Sequence, residues 1–213
     1  MISTSNNFGQ YYRLFPPTSQ NYNLVVVTPP AVEPVTFSDL AAQLRLDTTD
    51  DSAYVQQLGM VGREFIEQIC NITVIATTFD VSFDYWGNPF RGLRLPKRPA
   101  SSVVSVSYVD SNGTTQTLDS SKFDIRKTAT YWYILPKWGT IFPITGFVPN
   151  AVTVRFTAGY ADANSTPAMV KAAILQWSAW AYENREAVAE GNPKPLPYAF
   201  ESILRFLRAP EVH

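Results

Sequence analysis

This 213-residue chain holds one cysteine, Cys70, and one histidine, His213. A lone cysteine excludes an intramolecular disulfide and any CxxC redox or metal motif. A lone histidine leaves Ser-His-Asp and Cys-His catalysis, histidine-based zinc sites and histidine general bases with almost nothing to draw on. Charge is scarce too: 16% of residues are Asp, Glu, Lys or Arg, and the formal net charge is -1. A nucleic-acid-binding domain is usually markedly basic, so any hold on DNA does not come from overall charge. No run approaches 18 apolar residues, and MISTSNNFGQYYRLFPP lacks a basic segment followed by an apolar one. A soluble chain outside the general secretory route, with no membrane partner, cofactor or metal, is therefore expected. What the chain has in quantity is apolar side chain, 46% of residues, and aromatic rings, 14%. At this length roughly 70% of the unfolded surface can be buried, enough for one sizeable core or two small ones without staples.

Residues 1–34 carry Pro16, Pro17, Pro29, Pro30 and Pro34 and no helical period, which reads as an extended N-terminal arm. VTFSDL then gives a helix start, with Thr36 as N-cap, Asp39 as its capping-box partner and Val35 placed to staple onto Leu40. A short helix to about Leu46 is predicted. A longer one follows from Thr49 to about Cys70, with Tyr54, Leu58, Val61, Phe65 and Ile69 as its apolar stripe. Gly59 and Gly62 within it cost about 1 kcal/mol each relative to alanine, so another segment is expected to come close there. These N-terminal helices span 35–71.

The period then changes from 3.6 to 2. In TTFDVSFDYW, Phe79, Val81, Phe83 and Tyr85 alternate with Thr78, Asp80, Ser82 and Asp84, the pattern of a half-buried antiparallel strand. Further strands are predicted at 93–95, 103–109, 115–118, 123–126, 131–135 and 152–157, with Asn112-Gly113 as a type I′ hairpin signal. Residues 72–160 read as an antiparallel β-domain. Residues 161–190 hold a long helix from about 167 to 189, with Thr166 as cap and Pro167 at its first position. Residues 191–213 hold the stiff GNPKPLP linker and a last short helix, Tyr198 to Arg208. The predicted class is α+β: a bundle of N- and C-terminal helices with an inserted antiparallel β-domain.

Candidate sites have to be weighed against plain structural uses. On the long helix, Val170, Ile174, Trp177, Ala181 and Val188 form a core stripe. Ala172, Leu175, Ala179 and Tyr182 lie opposite, so a second partner is expected, either the chain's own β-domain or a neighbouring subunit. Glu183 and Glu186, beside Arg185, could form an acid pair, but their place on one polar helix face suits a rim of ion pairs, and no catalytic residues are assigned. Asp80, Asp84 and the DSNG turn at Asp110 could hold calcium, against the simpler readings of a solvated strand face and a turn. The basic segment RGLRLPKRP, with Arg91, Arg94, Lys97 and Arg98, could touch phosphates or an acidic partner. Trp132, Trp138, Phe142 and Phe147 could stack on sugars, or simply fill the end of a turn-rich β-domain.

Five stretches carry a resemblance: VVVTPPAVEPVTFSDLAAQLRLDTTDD; LRLPKRPASSVVSVSYVDSNGTTQTLD with VTVRFTAGYAD; and PAMVKAAILQWSAWAYENREAV with LPYAFESIL. In this order, over about Leu24 to Leu207, the chain resembles the head-tail connector (adaptor) proteins of tailed phages and related gene-transfer particles, in the branch with a β-domain inserted between the helices. The resemblance implies a non-enzymatic ring, a dodecamer in the virion neck, assembled in the host cytoplasm and docked under the portal protein after genome packaging. Such a ring extends the channel for double-stranded DNA, which passes without sequence recognition, and offers a platform to the next head-completion (stopper) or tail protein. It makes Tyr198, Phe200, Ile203, Leu204 and Leu207 the expected portal-docking stripe. Leu175, Tyr182, Glu183, Arg185 and Glu186 become the expected subunit interface. A carbohydrate-binding β-module of a virion or tail protein is the alternative.

Overall fold

The structure, a computed structural model, describes residues 21–88, 90–184 and 198–208. Helix α1 (Phe37–Leu44) opens on the predicted capping box. The Asp39 N–H donates to Thr36 Oγ1 at 3.2 Å and the Thr36 N–H to Asp39 Oδ2 at 2.8 Å, so two groups that a helix start leaves open are satisfied reciprocally. The helix stops short of Leu46 because Arg45 turns left-handed (φ 56°) and the Leu46 N–H bonds back to Ala41 O at 3.0 Å.

Helix α2 (Ser52–Cys70) buries Val55, Leu58, Gly59, Gly62, Arg63, Ile66 and Cys70. This face lies to one side of the predicted stripe: Val61 is exposed, and Tyr54, Phe65 and Ile69 are half-buried flanks. The glycines explain the rotation. A Cβ on Gly59 would lie 2.9 Å from Leu40 Cδ1, and one on Gly62 would lie 3.0 Å from Trp177 Cε3. Close approach at both glycines was expected, and the helix turns to its neighbours the side with least side chain rather than the side with most apolar atoms.

Helix α3 (Ala168–Glu183) packs against α1, α2 and α4 (Tyr198–Leu207). It begins one residue later than predicted, and Thr166 does not cap it. Pro167 holds the cap position without a side-chain bond, while the Thr166 hydroxyl donates to Asp162 O at 3.0 Å.

The strands form a five-stranded antiparallel sheet and a three-stranded one. The first has the order β1 (Tyr22–Thr28), β2 (Thr77–Phe83), β8 (Val152–Ala158), β4 (Ala100–Val109), β5 (Thr115–Thr117). The second has the order β3 (Leu93–Arg94), β7 (Trp132–Pro136), β6 (Phe123–Lys127), antiparallel throughout. Tyr22–Thr28, read from sequence as part of the extended arm, is an edge strand. In β2 the alternation places Phe79, Val81 and Phe83 inside; the strand ends there, so Tyr85 is exposed and Trp86 is the buried ring instead. The β4–β5 turn is not type I′, because only Gly113 (φ 79°) has positive φ. Asp110 organises it, accepting from the Asn112 and Thr114 N–H groups at 2.9 and 3.0 Å.

The chain divides into two compact units. Of the described residues, a β-unit takes 21–26, 79–88, 90–96 and 103–156, and a helical unit takes 27–78, 97–102, 157–184 and 198–208, where the sequence pattern puts the insertion at 72–160. The helical core gathers Val35, Leu40, Val55, Ile66, Val170, Ile174, Phe200 and Leu204. The β-unit buries Val81, Phe83, Leu93, Leu95 and Ile134, and Phe79 stacks on Phe156 at 5.6 Å between ring centroids.

Candidate functional site

The acidic residues weighed as ligands are already engaged. Asp80 holds Arg155 in a two-pronged ion pair at 2.8 and 2.7 Å, and Asp84 Oδ1 accepts from the Asn150 N–H at 2.9 Å. The Asp110 carboxyl lies below the ordinary aspartate range chiefly because the Thr114 N–H donates to it. Among the described residues no three His, Cys, Asp or Glu side chains group to hold a metal ion. A cleft on the helical unit, lined by Val35, Phe37, Leu40, Gly59 and Met60, has Glu33 as its single ionisable wall residue. That carboxylate is tied to Arg63, so the cleft presents no acid-base pair.

The polar centre of the helical unit is Arg63, which the sequence reading passed over. It is 6% exposed and sits on the buried face of α2. Its Nε donates to Glu33 Oε2 at 2.8 Å, its Nη2 to Glu33 Oε1 at 3.2 Å and its Nη1 to Glu67 Oε2 at 2.9 Å. Glu67 Oε1 in turn accepts from the Val74 N–H at 2.7 Å. Burial opposes the Arg63 charge, but the bond from Glu33 and the charges of Glu67, Glu33 and Glu64 outweigh it and raise its pKa. Burial also raises Glu67, against the pull of the Val74 N–H and Arg63. The sequence signal was the Arg63–Glu67 pair one helical turn apart.

The basic segment separates into two kinds of residue. Arg91 and Arg94 belong to the β-unit and are exposed. Lys97 and Arg98 belong to the helical unit and are half-buried, and burial lowers the Lys97 pKa. Arg98 serves as a strut: its Nη2 donates to Cys70 O at 3.0 Å and to Leu207 O at 2.6 Å, meeting the carbonyl ends of α2 and α4. Arg98, weighed from the sequence as a phosphate or partner contact, thus has an internal structural role.

The expected docking stripe also turns inward. Phe200 and Leu204 lie in the helical core and Ile203 and Leu207 pack against it, because α4 sets its apolar side on α2 and α3. Tyr198 and Phe206 are the rings α4 leaves open, 77% and 79% exposed. Of the expected subunit interface, Leu175 and Tyr182 pack against that same core, and the Tyr182 hydroxyl donates to Asp51 Oδ2 at 2.7 Å. Leu175 and Tyr182, on the second apolar face of α3, thus have packing partners within the chain. Glu183 is exposed; Arg185 and Glu186 lie outside the described residues, as does the GNPKPLP linker.

The four aromatics weighed as a sugar platform have different fates. Phe142 stacks on Trp86 at 4.3 Å, and Trp132 lies under the Lys127 ammonium at 4.2 Å. Trp138 (98%), Ile141 (88%), Ile144 (82%) and Phe147 project from the loop between β7 and β8 almost wholly exposed.

Comparison with solved structures finds this fold elsewhere. In fold, the chain is similar to chains of gene transfer agent particles. A chain from the neck of an empty gene transfer agent particle, computed with C6 symmetry, superposes with a TM-score of 0.72 at 20% identity, covering 90% of this chain and 97% of that one. A chain from the virion of a native gene transfer agent particle gives 0.73 at 19%, covering 89% and 97%. One from the neck of a native particle, computed with C12 symmetry, gives 0.65 at 20%, again covering 89% and 97%. No protein-family model and no curated protein matches the sequence.

Proposed function

We propose that this chain is a structural, non-enzymatic neck protein of a tailed phage or phage-like particle, acting in the virion as a homo-oligomeric ring between head and tail. The observation that carries the reading is the likeness, over nearly the whole length of both chains, to chains in gene transfer agent necks. The exposed Trp138–Phe147 loop supports it, since apolar side chains so fully in water mark a surface that assembly covers. In the finer reading the ring is the connector: a dodecamer assembled in the host cytoplasm, docked to the portal, extending the DNA channel and receiving the stopper or tail protein. The C6 and C12 symmetries of the related necks suit a closed ring of that kind. Portal contact falls to the exposed Tyr198 and Phe206, while Phe200, Ile203, Leu204 and Leu207 hold α4 on its own subunit. Neighbouring subunits meet through Glu183, at the end of α3, and through Arg185 and Glu186 of the sequence that follows, with Leu175 and Tyr182 supporting the end of α3.

Electron microscopy of the purified protein mixed with its portal tests the reading, with a stacked coaxial ring as the expected outcome. A protein that stays monomeric and apart from portal at assembly concentrations would contradict it. Tyr198→Ser combined with Phe206→Ser should abolish the stacking while leaving the melting temperature of the free protein unchanged.

A further inference from the structure

The near-zero net charge conceals an uneven division. Among the described residues, the β-unit carries seven basic and five acidic residues, and the helical unit seven basic and ten acidic. Part of the β-unit's excess gathers on one side of the three-stranded sheet. Tyr133 on β7 lies directly between Arg94 on β3 and Arg126 on β6, and Leu93, Ile134 and Ile125 form the next row, facing the other way. The Arg94 guanidinium lies over the Tyr131 ring and that of Arg126 over the Tyr133 ring, each 4.8 Å from the centroid. Arg126 Nη2 also donates to Arg91 O at 3.3 Å, which joins the Arg91 backbone to the group. All three arginines are exposed, and none forms an ion pair among the described residues; Asp124, on the same side of β6, pairs with none of them.

We propose that Arg94 and Arg126, set on Tyr131 and Tyr133, together with the exposed Arg91 whose backbone Arg126 holds, form a contact face for the phosphate backbone of double-stranded DNA. Packing over a tyrosine ring restrains the guanidiniums of Arg94 and Arg126 and leaves N–H groups for phosphate oxygens, which the arginine fork matches better than a lysine point charge does. With strands about 4.8 Å apart, the arginines flanking β7 stand about 10 Å from one another, a span of roughly three base pairs along the duplex axis. Among the described residues no base-reading element accompanies them, so the contact is independent of sequence and weak for one subunit. Repetition around a ring multiplies it, and the low charge elsewhere keeps the DNA free to slide. The choice of duplex DNA as partner rests on the neck reading; the phosphate chemistry does not.

The test measures binding of the full-length protein to a short labelled duplex by fluorescence anisotropy between about 50 and 200 mM salt. Replacing all three arginines by alanine should weaken binding about tenfold at the lowest salt, and flatten the slope of log K against log salt by about 0.9 for each phosphate no longer neutralised. The triple Arg→Lys variant should fall between, because it keeps the charge and loses the fork. Arg45→Ala, Lys171→Ala and Arg205→Ala together remove the same charge from the helical unit and should change binding less than about twofold. Equal losses in both triple alanine variants, or a wild type without salt-dependent binding, would overturn the proposal. So would loss of self-assembly with DNA binding intact, which would assign the face to a neighbouring subunit's carboxylates. Mass measurement on the same samples keeps the two readings apart, since DNA binding by a protein that never forms rings would sustain this face and defeat the ring.

Discussion

The helical unit and the β-unit depart from the usual inside-out arrangement in opposite senses. The first buries a charge, Arg63, and the second leaves Trp138, Ile141, Ile144 and Phe147 in water. Every nitrogen of the Arg63 guanidinium is answered by Glu33 or Glu67 within the chain, so the exception closes on itself and concerns folding. The four apolar loop residues have almost no cover of their own, so that exception points outside the chain. Residues that break a folding rule therefore divide by where their compensation lies, and this distinguishes the buried ion cluster from an active site.

Mutations can break or sharpen that contrast. Arg63→Met should cost the most, about 3 to 5 kcal/mol in urea or thermal denaturation, because Glu33 and Glu67 would be left without their cation. Gly62→Ala should follow at about 1 to 3 kcal/mol. The new Cβ meets the rigid Trp177 ring at 3.0 Å, which outweighs the gain of about 1 kcal/mol that alanine brings to a helix. Thr36→Ala should cost about 1 kcal/mol by opening the capping box. Bonding to the Thr36 N–H, then to its hydroxyl, depresses the Asp39 pKa below 3.8, so the carboxylate's share is complete above that pH and is lost as the pH falls through the lowered value. Melts from neutral to acid should show the gap between wild type and Thr36→Ala narrowing only at the acid end. Least affected in stability should be Trp138→Ser with Phe147→Ser, within about 0.5 kcal/mol of wild type when free, while mass measurement of the assembled species should show ring formation impaired.

The elements declared by local chemistry were legible in the sequence. Thr36 and Asp39 announced α1, period-2 alternation announced β2 and β8, and Gly59 and Gly62 announced a close helix crossing. What depended on the choice between partners was not legible. The stripe Phe200, Ile203, Leu204, Leu207 is amphipathic whether it meets this chain's core or another protein, and periodicity cannot tell the two apart. The Tyr182 contact was hidden for the same reason: its hydroxyl partner, Asp51, is 131 positions away. Counting apolar residues also hid Arg63, since a charge enters a buried stripe only when its carboxylates arrive from another segment, here Glu33. The Arg94–Tyr133–Arg126 row was half visible as RGLRLPKRP, but the register that brings Arg126 to it appears only once β7 lies between β3 and β6.

The Arg98 strut has a mechanical consequence. Both of its bonds leave one nitrogen, Nη2, with one proton for the last carbonyl of α2 and the other for that of α4. A pull on the chain beyond Leu207 would load this clasp together with the apolar side of α4. Tension arriving at the C-terminal end would be passed in part through Arg98 to the end of α2.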